Sequence, residues 1–424
     1  MTRHLFIIGL IATILLYVPA KAHAKIFSGI SIIELLLFVL FYVVLLRKFL
    51  RRKSAPETGN SNVLVLIVFF VGAITMSFLY NGFESGFNLK MLSGLLHYYL
   101  GVAFFLVSYN RLNEIRYISK TQKALFFAAI IIFAVALIQK IIGPGASLNY
   151  MNWTDEWVQW ATEADFRVYS LLGNPLHVSV FFCFIFGISL TWLVGEPEKK
   201  HLFLIAMTIV GIALTKSKSP VLTTIILMPL SYYAVRKIIP HIKSRKMNLS
   251  FPLLLGLIAV ILSVATFTLA DRMEDFRRNE VEVYGTSVRL LMVQVAVNAI
   301  FDNPFTGVGP GGLVEYFRDH SNLAYIPESS FTADNILLQM GAEIGLIGLV
   351  LFLLINFYAF KNAFLYISGT GDNKEKLLIL GLLIGLCGFY FQSMFESSTI
   401  LPLRALLWTT LGMFAALKSP TLQR

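Results

Sequence analysis

Long apolar segments separated by short polar ones follow one another along the whole chain of 424 residues. A run of about 20 apolar residues is long enough to cross the hydrocarbon core of a bilayer as a helix. Because backbone groups cannot remain unpaired in lipid, these segments predict an all-α integral membrane protein. Twelve membrane spans are predicted, at residues 5–20, 26–46, 62–80, 91–109, 124–142, 169–194, 202–215, 219–235, 251–270, 335–360, 377–395 and 401–417.

The composition and the charge distribution support this fold class. Charged residues make up 14% of the chain and hydrophobic residues 57%, whereas soluble proteins have about 25% charged residues. With both termini in the cytoplasm, the inner loops hold 22 of the 35 Lys and Arg residues, as the positive-inside rule requires. The formal net charge of +11 therefore reflects membrane topology, and no nucleic-acid partner is expected.

Two of the predicted spans have alternative interpretations. Residues 1–24 combine Arg3, an apolar run and small residues before Lys25, so a cleaved signal peptide is an alternative to a first span. The 202–215 span is short for a hydrocarbon core about 30 Å thick. It would have to tilt, include its flanking residues or form a re-entrant pair with residues 219–235.

The chain is predicted to be a single polytopic membrane domain, residues 1–424, with two long outer loops. The smaller loop, 143–168, carries tryptophans that either form an interfacial belt or stack on sugar rings. The larger loop, 271–334, follows the ninth span and is expected to carry part of the site. Cys183 and Cys387 fall within apolar runs, so they are expected to be buried thiols, and no metal-ligand spacing is present.

Charged residues within the spans collect near the outer ends. They are Glu34, Lys140, Arg167, Lys216, Lys218, Glu343, Glu396 and Arg404. Charges inside a membrane are costly and usually mark function. An ion pathway would need charges through the whole depth of the membrane, so this pattern favours a chamber open to the outer leaflet.

The sequence TKSKSP at 215–220 predicts an anion site. Ser219 is a favourable N-cap and Pro220 a favourable first helical residue, so the next span would present free N–H groups at the outer face. A helix N-terminus attracts anions, and Lys216 and Lys218 lie beside it. The alternative is that both lysines extend along the membrane surface without binding a ligand.

Arg289 is the most informative cation of the larger loop. When residues 286–303 are plotted as a helix, Gln294 and Asn298 fall on a polar stripe and Arg289 falls on the opposite, apolar face. A guanidinium in that position needs an anionic partner. Either a carboxylate of the bundle or a phosphate group of a ligand would serve.

Two further features flank the entry of the tenth span. The sequence GVGPGG at 307–312 matches a nucleotide-binding pattern only formally, because no strand precedes it, and a tight turn is predicted instead. Asp334 is predicted to cap the span and to place a carboxylate at the chamber mouth, next to Asn335. Glu343 lies 2.5 turns deeper at 3.6 residues per turn, where a buried pair with a basic neighbour is one interpretation.

Together these residues resemble the superfamily of O-antigen ligases and Wzy-like O-antigen polymerases, which are bacterial membrane proteins. The likeness covers about residues 165–360. It depends on the order and spacing of several motifs along the chain. They are Arg167, Gly-Asn-Pro at 173–175, Thr-Lys-Ser-Lys at 215–218, Arg289, DNPFTGVGPGG at 302–312, Asp334-Asn335 and Glu343. The resemblance implies a GT-C-like bundle of about 12 helices in the inner membrane, with its active site facing the periplasm.

The resemblance also implies a glycosyltransferase whose donor is an oligosaccharide on undecaprenyl diphosphate. Positioning and charge stabilisation would carry the catalysis, so neither a cofactor nor a metal ion is expected. The implied roles are diphosphate binding by Arg167, Arg289, Lys216 and Lys218, catalysis by Asp334 as general base together with Arg289 and Arg167, and support by Asn335, Glu343 and Arg404. Aromatic candidates for sugar stacking are Tyr284, Tyr316, Phe317 and Tyr325.

One departure from the family pattern bears on the reaction. In the ligases a histidine stands before the asparagine, whereas this chain has Asp334, which favours an inverting polymerase that extends a polysaccharide on a lipid-linked acceptor. Lys218, where the family usually has arginine, keeps the charge but loses the bidentate fork. The alternatives are a ligase that moves glycan to lipid A-core or protein, and a transporter or flippase. A chain-length regulator protein is an expected partner.

Overall fold

The computed structural model describes residues 3–23, 25–27, 30–31, 61–143, 166–238, 281–320, 333–369, 372–395 and 400–417. In these ranges, helices dominate and one short two-stranded ladder occurs. The helices are α1 (Arg3–His23), α2 (Ser61–Ser85), α3 (Leu89–Arg111), α4 (Ile115–Ile142), α5 (Pro175–Gly195), α6 (Lys199–Thr215), α7 (Ser219–Ile238), α8 (Val281–Asp302), α9 (Leu313–His320), α10 (Ile336–Ser368), α11 (Asn373–Gln392) and α12 (Leu401–Ala416).

Seven described helices, namely α2, α3, α4, α5, α7, α10 and α11, are long and apolar enough to cross a membrane. Shorter apolar helices occur at Arg3–Leu16, within α1, and at α12. The prediction of a multi-pass helical membrane protein is therefore confirmed, while the number of twelve spans stays a prediction. The short 202–215 segment lies in α6, which begins at Lys199 and so includes the flanking residues.

The second predicted span, 26–46, is wrong at its beginning. Strands β1 (Lys25–Phe27) and β2 (Ile30–Ser31) pair antiparallel there. The Ser-Gly sequence between them is turn-forming, which the average hydropathy of the segment does not register. The remainder of that span, the predicted span at 251–270 and residues 144–165 of the smaller outer loop lie outside the described residues.

The centre of the bundle is α5, in which residues 178–191 are all buried. It packs closely on α11, since a Cβ added to Gly187 would lie 2.9 Å from the Cα of Gly385. Cys183 in α5 is buried as predicted, whereas Cys387 in α11 is only partly buried. Small residues at this contact allow two helices to approach without a cavity.

Polar contacts show which helix ends lie together. Gln392 at the end of α11 donates a hydrogen bond to Ser219 at the start of α7, at 2.8 Å. At the opposite end, Lys374 at the start of α11 forms an ion pair with Glu196 after α5, at 3.8 Å. We call the end where α7, α10 and α12 begin the site end. These helix directions agree with the alternation predicted from the charged loops.

Helix α10 is interrupted at Gly345, whose φ of 71° and ψ of 175° are not helical. The loop at 303–312 fills the interruption. The N–H of Leu346 donates to the carbonyl of Pro304 at 2.7 Å, and the N–H of Val308 donates to the carbonyl of Ala342 at 2.8 Å. Non-helical backbone at membrane depth is tolerated only where other protein groups satisfy it, and this loop does so.

Side chains from α2 complete the same junction. Ser77 Oγ donates to the carbonyl of Glu343 at 2.9 Å, and Asn81 Nδ2 donates to the carbonyl of Gly307 at 3.1 Å. A Cβ added to Gly345 would lie 2.2 Å from the carbonyl oxygen of Phe305. The GVGPGG segment is thus a tight turn, as predicted, and it is docked against the broken helix.

Gly345→Ala is expected to destabilise the protein, whereas Gly72→Ala is expected to be neutral or slightly stabilising. Alanine at position 345 would combine a positive φ, which costs on the order of 1–3 kcal/mol, with a backbone clash. A Cβ on Gly72 in α2 meets nothing within 4 Å, and alanine is favoured over glycine in a helix by about 1 kcal/mol.

Thermal unfolding of the two variants in one detergent provides the comparison. If Gly345→Ala unfolded at the wild-type temperature, the docked break would not constrain the fold.

Candidate active site at one end of the bundle

Helix α10 is capped by Asn335, and the prediction that Asp334 caps it is wrong. Asn335 Oδ1 accepts from the N–H groups of Leu337 at 2.9 Å and Leu338 at 3.1 Å. Both residue types can cap a helix, but Asn335 has the extended backbone that a cap requires, with φ −153°. Asp334 has a φ of 46° and is left without the capping role.

The side chain of Asp334 pairs with Arg289 of α8. Arg289 Nε lies 3.4 Å from Asp334 Oδ2, and the two side chains are 55% and 22% exposed. An ion pair this exposed contributes roughly 0–1 kcal/mol, so it does not hold the fold together. Of the two partners proposed for Arg289 from the sequence, the structure shows the carboxylate, and more than half of the guanidinium side chain stays accessible.

Apolar contacts hold α8 in the position that makes this pair. Met292 and Val295 pack on Phe317 of α9. One turn further, Ala296 belongs to a buried cluster that includes Ala333, the residue before Asp334. The helix predicted over 286–303 is confirmed, and its apolar side packs as expected while Arg289 lies at its exposed edge.

Arg167 donates two hydrogen bonds to the turn between α6 and α7. Its Nε donates to the carbonyl of Thr215 at 2.9 Å, and its Nη2 donates to Ser217 Oγ at 2.8 Å. Lys216 ends α6 in a left-handed conformation with φ 50°, and Lys218 is exposed before α7. The structure therefore brings Arg167, Lys216 and Lys218 into one small cationic turn.

The end of α11 joins this turn to the start of α10. Gln392 Nε2 donates to Ser219 Oγ at 2.8 Å, and Gln392 Oε1 accepts from Thr223 at 3.1 Å. The next residue, Ser393, accepts at its carbonyl from the N–H of Ile336 at 3.1 Å. The cationic turn and the Arg289–Asp334 pair thus lie at the same end of the bundle, linked through Gln392 and the next residue, Ser393.

Glu343 lies deeper in α10 and is only 3% exposed. Its carboxylate accepts from Tyr98 Oη at 2.8 Å and from Gln339 Nε2 at 3.0 Å. Arg404 of α12 places its guanidinium carbon 4.7 Å from the centre of the Tyr98 ring. Arg404 is thus a basic residue near Glu343, as predicted. In the described part of the chain, however, the direct hydrogen bonds to the Glu343 carboxylate come from Tyr98 and Gln339.

The remaining predicted residues are less informative. Lys140 is exposed in the last turn of α4, while Glu34, Glu396 and Tyr325 lie outside the described residues. Phe317 is 1% exposed and is therefore unsuited to sugar stacking. Within the described ranges, no group of three or more His, Cys, Asp or Glu side chains is placed to hold a metal ion.

Tyr316 is the aromatic candidate that stays partly accessible. Its hydroxyl donates to Asp302, and its ring stacks on His320 with centroids 4.0 Å apart. Partial burial and the hydrogen bond to Asp302 both raise the pKa of Tyr316, so its phenol stays protonated at physiological pH. It can act as a hydrogen-bonding aromatic surface but not as a base.

Sequence reasoning missed several polar side chains that build the site. Ser217 supports Arg167, Gln392 joins α11 to α7, and Tyr98 and Gln339 hold Glu343. A signal was available, since neutral polar residues inside apolar spans are good candidates for bonds between helices. Their partners could not be read from it because these contacts join residues distant in sequence.

Comparison with known families bears on this geometry. Residues 202–353 match the family model described as O-antigen ligase. The chain is similar to this family over that range. The resemblance predicted from the sequence is thereby confirmed over this range, which includes Lys216, Lys218, Arg289 and Asp334. Comparison with curated proteins found no match.

The matched range, residues 202–353, does not by itself contain the whole site end. Arg167 lies before the matched range, and Arg404 lies after it. Both are nevertheless placed against matched residues, Arg167 against Ser217 and Arg404 beside Gln339. Residues on both sides of the matched range therefore contribute to its polar surroundings.

Arg289→Ala is expected to change the free energy of unfolding by at most about 1 kcal/mol, because the pair it breaks is exposed. Glu343→Ala should cost more, about 1–3 kcal/mol for each of the two donors it leaves unpaired. Thermal unfolding in detergent checks both values, with Lys140→Ala as an exposed control. A larger loss for Arg289→Ala than for Glu343→Ala would show that the exposed pair is structural.

Proposed function

We propose that the protein is a glycosyltransferase that moves glycan from a lipid-linked diphosphate donor to a hydroxyl of an acceptor sugar. The observation that carries this proposal is the exposed Arg289–Asp334 pair, at the same end of the bundle as the turn of Arg167, Lys216 and Lys218. A base at the mouth of the bundle and cations beside it suit the departure of a diphosphate. The match to the O-antigen ligase family supports the same reaction class.

In the proposed reaction, the acceptor hydroxyl oxygen attacks the anomeric carbon of the donor. The bond between that carbon and the diphosphate oxygen breaks, and the hydroxyl proton passes to Asp334 as general base. Attack from the side opposite the leaving group would invert the anomeric centre. Asn335 caps the helix in place of Asp334, and the Asp334 carboxylate lies beside Arg289, with Oδ2 at 3.4 Å from Nε.

Arg289 has two roles in this scheme. Before transfer it pairs with the Asp334 carboxylate at 3.4 Å. Once Asp334 has taken the proton, the carboxyl is neutral and the guanidinium is free to favour the departing diphosphate. Lys218, Lys216 and Arg167 would bind the other phosphate oxygens. Arg167 would do so while its Nη2 also donates to Ser217 Oγ. No cofactor is required by these steps.

We propose a polymerase rather than a ligase, because Asp334 stands where the ligases have histidine. The acceptor would then be a second lipid-linked glycan, the carrier would be undecaprenyl diphosphate and the site would face the periplasm from the bacterial inner membrane. A chain-length regulator protein would be a partner. Ligation to lipid A-core or protein is the second candidate, and the family match supports it equally.

Arg289→Ala and Asp334→Asn are both expected to abolish long glycan chains in a deletion strain that carries the variant gene. Electrophoresis of surface polysaccharide and of lipid-linked glycan provides the measurement. A polymerase defect leaves single repeat units, whereas a ligase defect leaves polymer on the lipid carrier. Lys237→Ala, which changes an exposed cation in the last turn of α7, at the end of that helix opposite the site end, should retain the wild-type ladder. Full activity of Asp334→Asn would rule out the general-base role.

Lys218 permits a graded test of diphosphate binding. Lys218→Arg should retain or raise activity, because the forked guanidinium of arginine can bind two phosphate oxygens. Lys218→Ala should raise the KM for the donor about 10-fold or more. Equal KM values for Lys218→Ala and wild type would remove this residue from the binding site.

The proposed orientation predicts which exposed positions react with an impermeant maleimide on intact cells. In a background without Cys183 and Cys387, Glu84→Cys at the end of α2 should be labelled. Asn113→Cys, in the exposed turn between α3 and α4, should be labelled only after permeabilisation. The reverse pattern would place the site end in the cytoplasm.

A further inference from the structure

A small cavity lies beneath the start of α10, between α3, α10 and α12. Its volume is about 20 Å³, and its polar lining consists of Tyr98, Gln339 and Arg404, with Leu407 and Trp408 on the apolar side. A cavity needs about 10–15 Å³ of this kind to hold one water molecule. It is therefore large enough for a water molecule and too small for a phosphate group.

Two complementary polar atoms are buried around this cavity. In the described part of the chain, neither Gln339 Oε1 nor Arg404 Nη1 has a hydrogen-bond partner, and Gln339 is only 7% exposed. Buried polar atoms are ordinarily hydrogen bonded, and an amide oxygen and a guanidinium N–H are an acceptor and a donor. A water molecule can accept from one and donate to the other.

The cavity is lined by the partly buried Arg404 and by two residues, Tyr98 and Gln339, that hydrogen-bond to the buried Glu343. Glu343 is held by Tyr98 and Gln339, and Arg404 lies over the Tyr98 ring at 4.7 Å. No ion pair joins Glu343 to Arg404 among the described residues. Opposite charges that are buried near one another need hydrogen-bonded groups between them to be tolerated.

We propose that this cavity binds one water molecule that links Arg404 to Gln339, and that Arg404 is thereby a positioning residue for the start of α10. Gln339 then joins the water to Glu343, and its backbone N–H donates to the carbonyl of Asn335 at 2.9 Å. Asn335 follows Asp334 directly. The network thus fixes the turn that carries Asp334, although Arg404 itself does not reach the acceptor.

The catalytic part of this inference rests on the proposed glycan transfer, and the water site does not. Arg404→Met and Gln339→Met each remove one end of the bridge, and the double variant tests whether the two ends act as one unit. Arg236→Met, at an exposed arginine in α7, is the matched control. Each single variant should lower Tm by roughly 2–4 °C, and the double variant should lose no more than the larger single loss.

A cryo-EM map that resolves other buried waters should show density between Arg404 and Gln339 in the wild type and none in Arg404→Met. With lipid-linked donor, Arg404→Met should lower kcat about 10–100-fold and leave KM within about twofold, because a positioning residue does not bind the donor. Arg404→Gln retains an N–H donor, so its kcat should be higher than that of Arg404→Met. If Arg404 acted only through its charge, the two variants would have the same low kcat.

Absent density, additive losses of Tm in the double variant, or a raised KM with unchanged kcat would each overturn the inference. If the wild type transferred no glycan, the proposed function would fail. The density and the Tm comparison would still decide whether the water bridge exists.

Discussion

The backbone of α10 cannot remain interrupted at membrane depth unless other groups take its hydrogen bonds, and the rest of the site end depends on how this is done. Pro304 and Val308 supply the missing partners, while Ser77 and Asn81 of α2 satisfy neighbouring carbonyls. The loop that provides these bonds follows α8 directly. Docking the loop therefore places α8, and with it Arg289, beside Asp334.

The polar groups of the site end fall into two levels with different physical roles. The outer level, Arg289 with Asp334 and the turn at Lys218, is accessible and contributes little to stability. The inner level, with Glu343 and Tyr98, is buried and its polar bonds are costly to break. The proposed reaction requires the outer groups to exchange partners, while the inner groups keep the helices in place.

The sequence predicts those features that depend on local pattern. Hydropathy and loop charge predict a helical membrane protein with alternating helix directions, and the structure has Asp334, Arg289 and Lys218 at one end of the bundle. Choices between equivalent groups are not predictable in this way. Asp334 and Asn335 can both cap a helix, and the backbone selects Asn335. Likewise, Gly345 is compatible with close helix packing, and only contact with Phe305 explains the break.

The left-handed backbone of Asp334, with φ 46°, restricts which residues the position can hold. Asparagine, aspartate and histidine are the side chains that adopt this conformation most readily, apart from glycine. Of this set, only aspartate and histidine have side chains that titrate as bases, with reference pKa values of about 3.9 and 6.5. In the proposed reaction the shape of this turn therefore limits which side chains could serve as the base at position 334.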